Sequence, residues 1–260
     1  MIELRRVRVV FHARTPDERI ALDDVDLCLA PGTFSVVVGT NGAGKSTLLN
    51  AVAGSTRLAA GSLAVDGRDV TDWPVHRRAQ LVARVFQDPM VGTAPSLTIE
   101  ENLALAHLRG GRRGLRLALN AHNRRAYREL LASFGLGLEN RLGSPVGLLS
   151  GGQRQVLALT MATLASPRIL LLDEHTAALD PRIAELVMKA TADVIADQRL
   201  TALMVTHNMR HALAHGDRLL MMDAGRIKLD IDAATRRAMT VADLVRRFGD
   251  EADHLVLQVQ

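Results

Sequence analysis

Three short apolar runs, at 35–38, 169–172 and 202–205, each end at a turn or a polar cluster. Segments with helical apolar spacing follow them near 45–54, 181–196 and 208–214. Strand followed by helix, three times over, predicts a parallel α/β sheet, because strands covered on both faces read as continuous Val/Ile/Leu runs. The first 30 residues alternate instead: Ile2, Leu4, Val7 and Val9, then Leu22, Val25, Leu27 and Leu29. A period of two puts one face of each strand in a core, so an antiparallel pair is expected around a polar loop at 12–19. From about 90 to 165 the pattern becomes helical. Thr98, with Glu101 three residues on, is a capping-box start for a helix near 99–109. The Gly/Arg stretch 110–114 should break it, and further helices are expected near 122–134 and 151–165. A weak strand at 226–230 and a short helix near 240–248 close the pattern.

These elements predict one domain over 1–260. Its core comes from 1–89 and 166–230, with a helical lobe inserted at 90–165 and a short C-terminal extension at 231–260. Aromatics are only 3% of residues against 48% hydrophobic overall, so the core must be aliphatic. The apolar runs fall far short of the roughly 20 residues a spanning helix needs, and the N-terminus has no apolar segment of signal-peptide length. One cysteine, Cys28, excludes an internal disulfide and suits a cytosolic setting. It lies within the alternating run and reads as a strand residue. The net charge of +4 is uneven: seven arginines (109, 112, 113, 116, 124, 125, 128) and no acid lie between Glu101 and Glu129. Such a patch reads first as a solvated face and next as membrane-surface contact. No nucleic-acid-binding motif or aromatic platform stands beside it, so nucleic acid is not an expected partner.

Gly39-Thr40-Asn41-Gly42-Ala43-Gly44-Lys45-Ser46-Thr47 matches the phosphate-loop pattern G-x-x-x-x-G-K-[ST]. An apolar run precedes it, and Leu48, Leu49 and Val52 follow with helical spacing. Glycines let the backbone curl so that its N–H groups face phosphate oxygens, and the helix start adds a partial positive charge. Lys45 is expected to neutralise the β- and γ-phosphates of ATP, and the Ser46 hydroxyl to ligate Mg²⁺. Such a loop does not by itself separate a kinase from a GTPase or a motor. The run 169–172 then delivers Asp173 and Glu174 to a sheet edge, the Walker B form. Asp173 is expected to hold Mg²⁺, directly or through water, and Glu174 to polarise the attacking water as general base.

Leu149-Ser150-Gly151-Gly152-Gln153 stands upstream of those carboxylates. Here the sequence resembles the ABC ATPase family, whose signature is LSGGQ, over nearly its whole length. The resemblance implies a P-loop NTPase core of the ABC ATPase type, with an N-terminal antiparallel β subdomain and an inserted helical lobe. It also implies a homodimer in which ATP lies between Lys45 of one chain and Ser150, Gly151, Gly152 and Gln153 of the other. On the same resemblance, Gln87 senses the γ-phosphate and contacts Mg²⁺, and Ala178-Leu179-Asp180 is the D-loop. His207 is the switch histidine, and Phe11 is the aromatic that stacks on adenine. Ala177 stands where serine is common and His175 where proline is frequent; neither position is needed for the chemistry.

The family implies ATP hydrolysis driving transport through a separate integral membrane permease, from the cytoplasmic face of the membrane. Import is expected rather than export, since exporters often fuse motor and membrane domain. The stretches 87–106, 173–180 and 206–209 look like one bacterial subgroup, often assigned to uptake of tryptophan, tyrosine or related solutes with an extracytoplasmic binding lipoprotein. Two alternatives stay open at this point: an exporter motor, and a non-transport ABC protein. The latter class usually carries two motif sets or a long coiled coil, and this chain has one set and no heptads.

Overall fold

The strand β1 (Ile2–Phe11) pairs antiparallel with β2 (Arg19–Leu29), and the register sets apolar against apolar: Ile2 on Leu29, Leu4 on Leu27, Val7 on Val25, Val9 on Leu22. The molecule is a computed structural model that describes residues 1–109 and 119–248. The expected break at 110–114 and the chain beyond 248 lie outside the described residues. The strand β3 (Phe34–Gly39) runs into helix α1 (Lys45–Ala53). After it, β4 (Ala60–Val65) and β5 (Arg68–Asp69) extend the first sheet to the order β2-β1-β4-β5. A single turn, α2 (Val75–Arg78), leads into β6 (Val82–Val85). Then come α3 (Ile99–His107), α4 (Ala121–Ala132) and α5 (Gly151–Thr163), near where the polar pattern predicts helices.

The chain returns to β7 (Ile169–Asp173), α6 (Pro181–Gln198), β8 (Thr201–Val205), α7 (Met209–Ala214) and β9 (Arg218–Asp223). It continues through β10 (Arg226–Asp232), α8 (Ala233–Arg237) and α9 (Val241–Phe248). The second sheet has the order β10-β9-β3-β8-β7-β6, parallel except for β10 at one edge. The sequence pattern misses β4, β5, α2, β6, β9 and α8. It also stops β10 two residues early, because an edge strand with alternate residues exposed carries little apolar signal.

Both faces of this sheet are covered, which explains the continuous apolar runs. On one face Val37, Leu171, Leu203 and Val205 pack with Leu48, Leu49 and Val52 of α1, and with the first sheet. On the other, Val36, Val38, Leu170 and Leu172 meet Leu159 of α5, Met188 and Ile195 of α6, and Met209 of α7. The helices between β6 and β7 have a cluster of their own: Ile99, Leu103, Tyr127, Leu131, Val156 and Leu157. Thr98 caps α3 through the expected capping box, Glu101 N–H donating to its hydroxyl and the Glu101 carboxylate accepting from Thr98 N–H. Among the described residues no helix is long and apolar enough to cross a membrane.

Candidate functional site

Parallel strands end on the same edge of their sheet, and that edge is where α/β proteins place ligands. The strands β3, β8, β7 and β6 are neighbours in that order. Their C-terminal ends deliver, respectively, the loop 39–47, Thr206-His207, Asp173-Glu174 and Phe86-Gln87. Residues far apart in sequence are thus brought to one edge by strand order alone.

The loop is clamped from outside. Gly225 N–H donates to the Ala43 carbonyl at 3.1 Å, and Asp23 N–H donates to the Gly225 carbonyl at 3.0 Å. The β9–β10 turn and β2 therefore form its wall. Gly44 sits at φ +100° with space for no side chain: a Cβ would lie 2.6 Å from the Ala21 carbonyl oxygen. Gly44 is also the N-cap of α1 and supplies no side-chain acceptor, so the first-turn N–H groups are left for an outside anion. Lys45 is buried, 6% exposed, with its ammonium donating to the carbonyls of Gly39 (2.7 Å) and Thr40 (2.9 Å). Burial pushes its pKa down, opposed by the nearby charges of Glu174 and Asp173. Thr40, Asn41, Gly42, Ser46 and Thr47 complete the loop, with the Ser46 residue exposed at the helix start. An uncapped helix start, a buried cation and two carboxylates form a donor set that suits a magnesium-bound triphosphate.

Glu174 holds a left-handed φ of +44° and is fixed there by its own N–H donating to the Val205 carbonyl at 3.0 Å. Strain of this kind, roughly 1–3 kcal/mol, persists where neighbours over-determine the backbone. Its carboxylate lies 3.1 Å from His207 Nδ1. That hydrogen bond is the main cause of a lowered Glu174 pKa, helped by the charges of His207 and Lys45 and opposed by burial. The same bond raises the pKa of His207, and burial opposes it. The two side chains form a hydrogen-bonded pair across the ends of β7 and β8, ionic when the imidazole is protonated. Asp173 is not free either: Arg84 on β6 forms an ion pair with it.

Gln87 is exposed just past β6. Ser150 is the N-cap of α5 in a second capping box: its hydroxyl accepts from Gln153 N–H (3.3 Å), and Gln153 Oε1 accepts from Ser150 N–H (3.2 Å). Among the described residues no hydrogen bond joins 150–153 to the loop 39–47. Of the D-loop residues, Asp180 caps α6 by accepting from Ile183 N–H at 3.2 Å. Phe11, 38% exposed, pairs across β1 and β2 with Arg19, whose guanidinium donates to the Gly42 carbonyl at 3.4 Å. His175 is buried against the Thr191 hydroxyl (3.0 Å); burial, with His211 and His215 nearby, lowers its pKa to about 3.

Sequence reasoning missed Arg19, Arg84 and the Ala224-Gly225 turn. A charged residue between Ala83 and Val85, on a strand the sequence pattern does not predict, is the only local signal for Arg84. Nothing local marks Arg19 or the turn, which matter only because other strands lie beside the loop.

A sequence profile of the family described as "ABC transporter" matches residues 22–177. The tyrosine transport ATP-binding protein of Clostridioides difficile is 39% identical over 95% of this chain and 98% of its own length. The glutamine transport ATP-binding protein of Escherichia coli is 36% identical over 80% of this chain and 84% of its own. Among solved structures, a dimeric ATP-binding cassette in a post-hydrolysis state with ADP and Pi superposes with a TM-score of 0.77 at 26% identity. That match covers 90% of this chain and 99% of the other.

Proposed function

The chain belongs to the ABC transporter family, and on that premise we propose that it is the ATP-hydrolysing subunit of an importer of tyrosine or a related aromatic amino acid. The observation that carries the substrate class is the 39% identity to a tyrosine transport ATP-binding protein over nearly the full length of both chains. The chemistry is carried by the four strand ends. Lys45 and the α1 start bind the β- and γ-phosphates, Phe11 offers a face to adenine, and Gln87 lies at the γ-phosphate. Ser46, Gln87 and Asp173 would hold Mg²⁺, which when bound neutralises phosphate charge.

Water attacks the γ-phosphorus, and Glu174 accepts its proton as the bond to the β-phosphate oxygen breaks. Glu174 is engaged by His207, which lowers its basicity. Turning the imidazole toward a γ-phosphate oxygen would free that carboxylate and raise its pKa, so that nucleotide arms its own base. Ser150, Gly151, Gly152 and Gln153 close on nucleotide held by a second copy of the chain, a reading supported by the lack of any hydrogen bond, among the described residues, from 150–153 to their own phosphate loop. Hydrolysis then separates the pair. A groove of about 580 Å³ beside Gln87, lined by Phe86, Pro89, Leu105 and Met161, is where a permease would dock. Residues 90–165 form the lobe that moves with it, 1–89 and 166–230 the core, and 231–260 the extension. The assembly works at the cytoplasmic face of the membrane, with a solute-binding protein on the other side.

The test is a pull-down from detergent-solubilised membranes using tagged Glu174→Gln chain with Mg-ATP. Removing a general base costs about 10²–10⁴-fold in turnover, so ATP stays bound and the pair stays closed. Recovery of a multi-span permease, whose reconstituted complex takes up tyrosine, is the expected result. Ribosomal or DNA-repair proteins with no membrane partner would refute the transport assignment.

A further inference from the structure

Arg84 is a partly buried arginine that the mechanism above does not use. It lies on β6, paired with Leu171 of β7, so its side chain shares a face with Asp173 two residues further along. One nitrogen of its guanidinium, Nη2, ion-pairs with Asp173. The other, Nη1, donates to Asn50 Oδ1 on α1 at 2.6 Å. Its plane lies over the Phe86 ring, 4.9 Å from the centroid, one residue before Gln87. Both members of the ion pair are largely buried, at 14% and 15% exposed. Its Nε is buried with no partner among the described residues.

We propose that Arg84 is a positioning residue that acts as a built-in counter-cation for Asp173, occupying that carboxylate until Mg²⁺ arrives with nucleotide and displaces it. The inference rests on the assignment of Asp173 to the metal. A largely buried carboxylate without a partner is costly, and the arginine removes that cost whenever no cation is bound. A divalent cation at Asp173 adds charge beside both Arg84 and Lys45, and Asn50 is neutral and cannot absorb it. Like charges at a few ångströms in a poorly solvated site repel strongly, so the guanidinium gives up Asp173. Its anchors on Asn50 and Phe86 remain. The metal therefore binds more weakly than the carboxylate alone would allow, and the site favours metal that comes with a triphosphate.

The experiment measures ATP affinity calorimetrically, in Mg²⁺ and in EDTA, for the full chain carrying Glu174→Gln so that nucleotide is not consumed. The ratio of the two dissociation constants is the metal advantage. Adding Arg84→Met should raise that advantage at least tenfold, because the competitor is gone. An advantage that stays the same or falls in Arg84→Met, while the parent shows one, overturns the proposal and leaves the metal assignment standing. A parent with no metal advantage, or one that Asp173→Asn fails to remove, overturns the assignment and the proposal together. If Arg84→Met does not fold, Arg84→Lys decides. A lysine cannot reach Asn50 and Asp173 at once, so it should give a smaller rise, about threefold, and an unchanged ratio would refute the counter-cation role.

Discussion

Replacing Gly44 by alanine tests whether the wall behind the phosphate loop sets the loop's shape. Two terms follow from the structure. Gly44 has φ +100°, and a side chain in left-handed backbone costs about 1–2 kcal/mol. The added Cβ would also lie 2.6 Å from the Ala21 carbonyl oxygen, 3.2 Å from Leu22 Cδ2 and 3.3 Å from Gly225 Cα. Two of those three atoms are backbone in clamped segments and cannot swing aside, so overpacking adds about 1–3 kcal/mol. Together the cost is about 2–5 kcal/mol, a large part of a typical stability of about 5–15 kcal/mol. Gly67 supplies the control: it has φ +75°, and an added Cβ would meet nothing within 4 Å, so Gly67→Ala carries only the backbone term, about 1–2 kcal/mol. Urea unfolding at 25 °C should separate the two variants by about 1–3 kcal/mol, the contact term alone. ATP binding in EDTA should weaken only in Gly44→Ala. Equal unfolding costs with intact ATP binding would refute the reasoning, because the wall would then be pliable and the loop's shape set elsewhere.

Two further outcomes follow. His207 is raised above its ordinary 6.5, so its contribution to stability is full below about that pH and fades as pH climbs through the raised value. Glu174 is lowered below its ordinary 4.5, so its contribution is present above that and fades as pH falls through the lowered value. The stability gap between wild type and His207→Ala should thus peak between about pH 5 and 6.5 and narrow on both sides. With side chains 35% and 20% exposed, the pair is worth about 0.5–1 kcal/mol after solvent screening. Urea midpoints from pH 4 to 9 would show it, and a flat gap would mean the two groups do not pair as ions. Separately, Arg78, 2% exposed, donates to the carbonyls of Ala51 (2.6 Å), Val52 (3.1 Å) and Thr71 (2.7 Å), closing the C-terminal end of α1. Arg78→Met should cost about 2–4 kcal/mol in urea unfolding, since charged hydrogen bonds are worth about 1.5–3 kcal/mol each and do not add fully. A cost under about 1 kcal/mol would show that α1 holds without it.

The sequence by itself determined what depends on local pattern. Continuous apolar runs meant doubly covered parallel strands, and alternation meant the antiparallel pair of β1 and β2. Gly39 to Thr47 between a strand and a helix meant a phosphate loop, because only that backbone curl needs glycine at those places. Thr98 and Glu101 marked a helix start because a capping box is made within four residues. Tertiary structure decided what depends on strand order. Placing β8 and β7 between β3 and β6 set His207 on Glu174 and Arg84 on Asp173, contacts 33 and 89 residues apart in sequence. The edge strand β10, the β9–β10 turn that braces Ala43, and the approach of Arg19 to Gly42 belong to the same class. The pairings themselves leave no local trace, although β10 shows as a weak strand pattern and Arg84 as a charge among apolar residues, because a long-range contact is fixed by which strands become neighbours, and that follows from burying both faces of the sheet together.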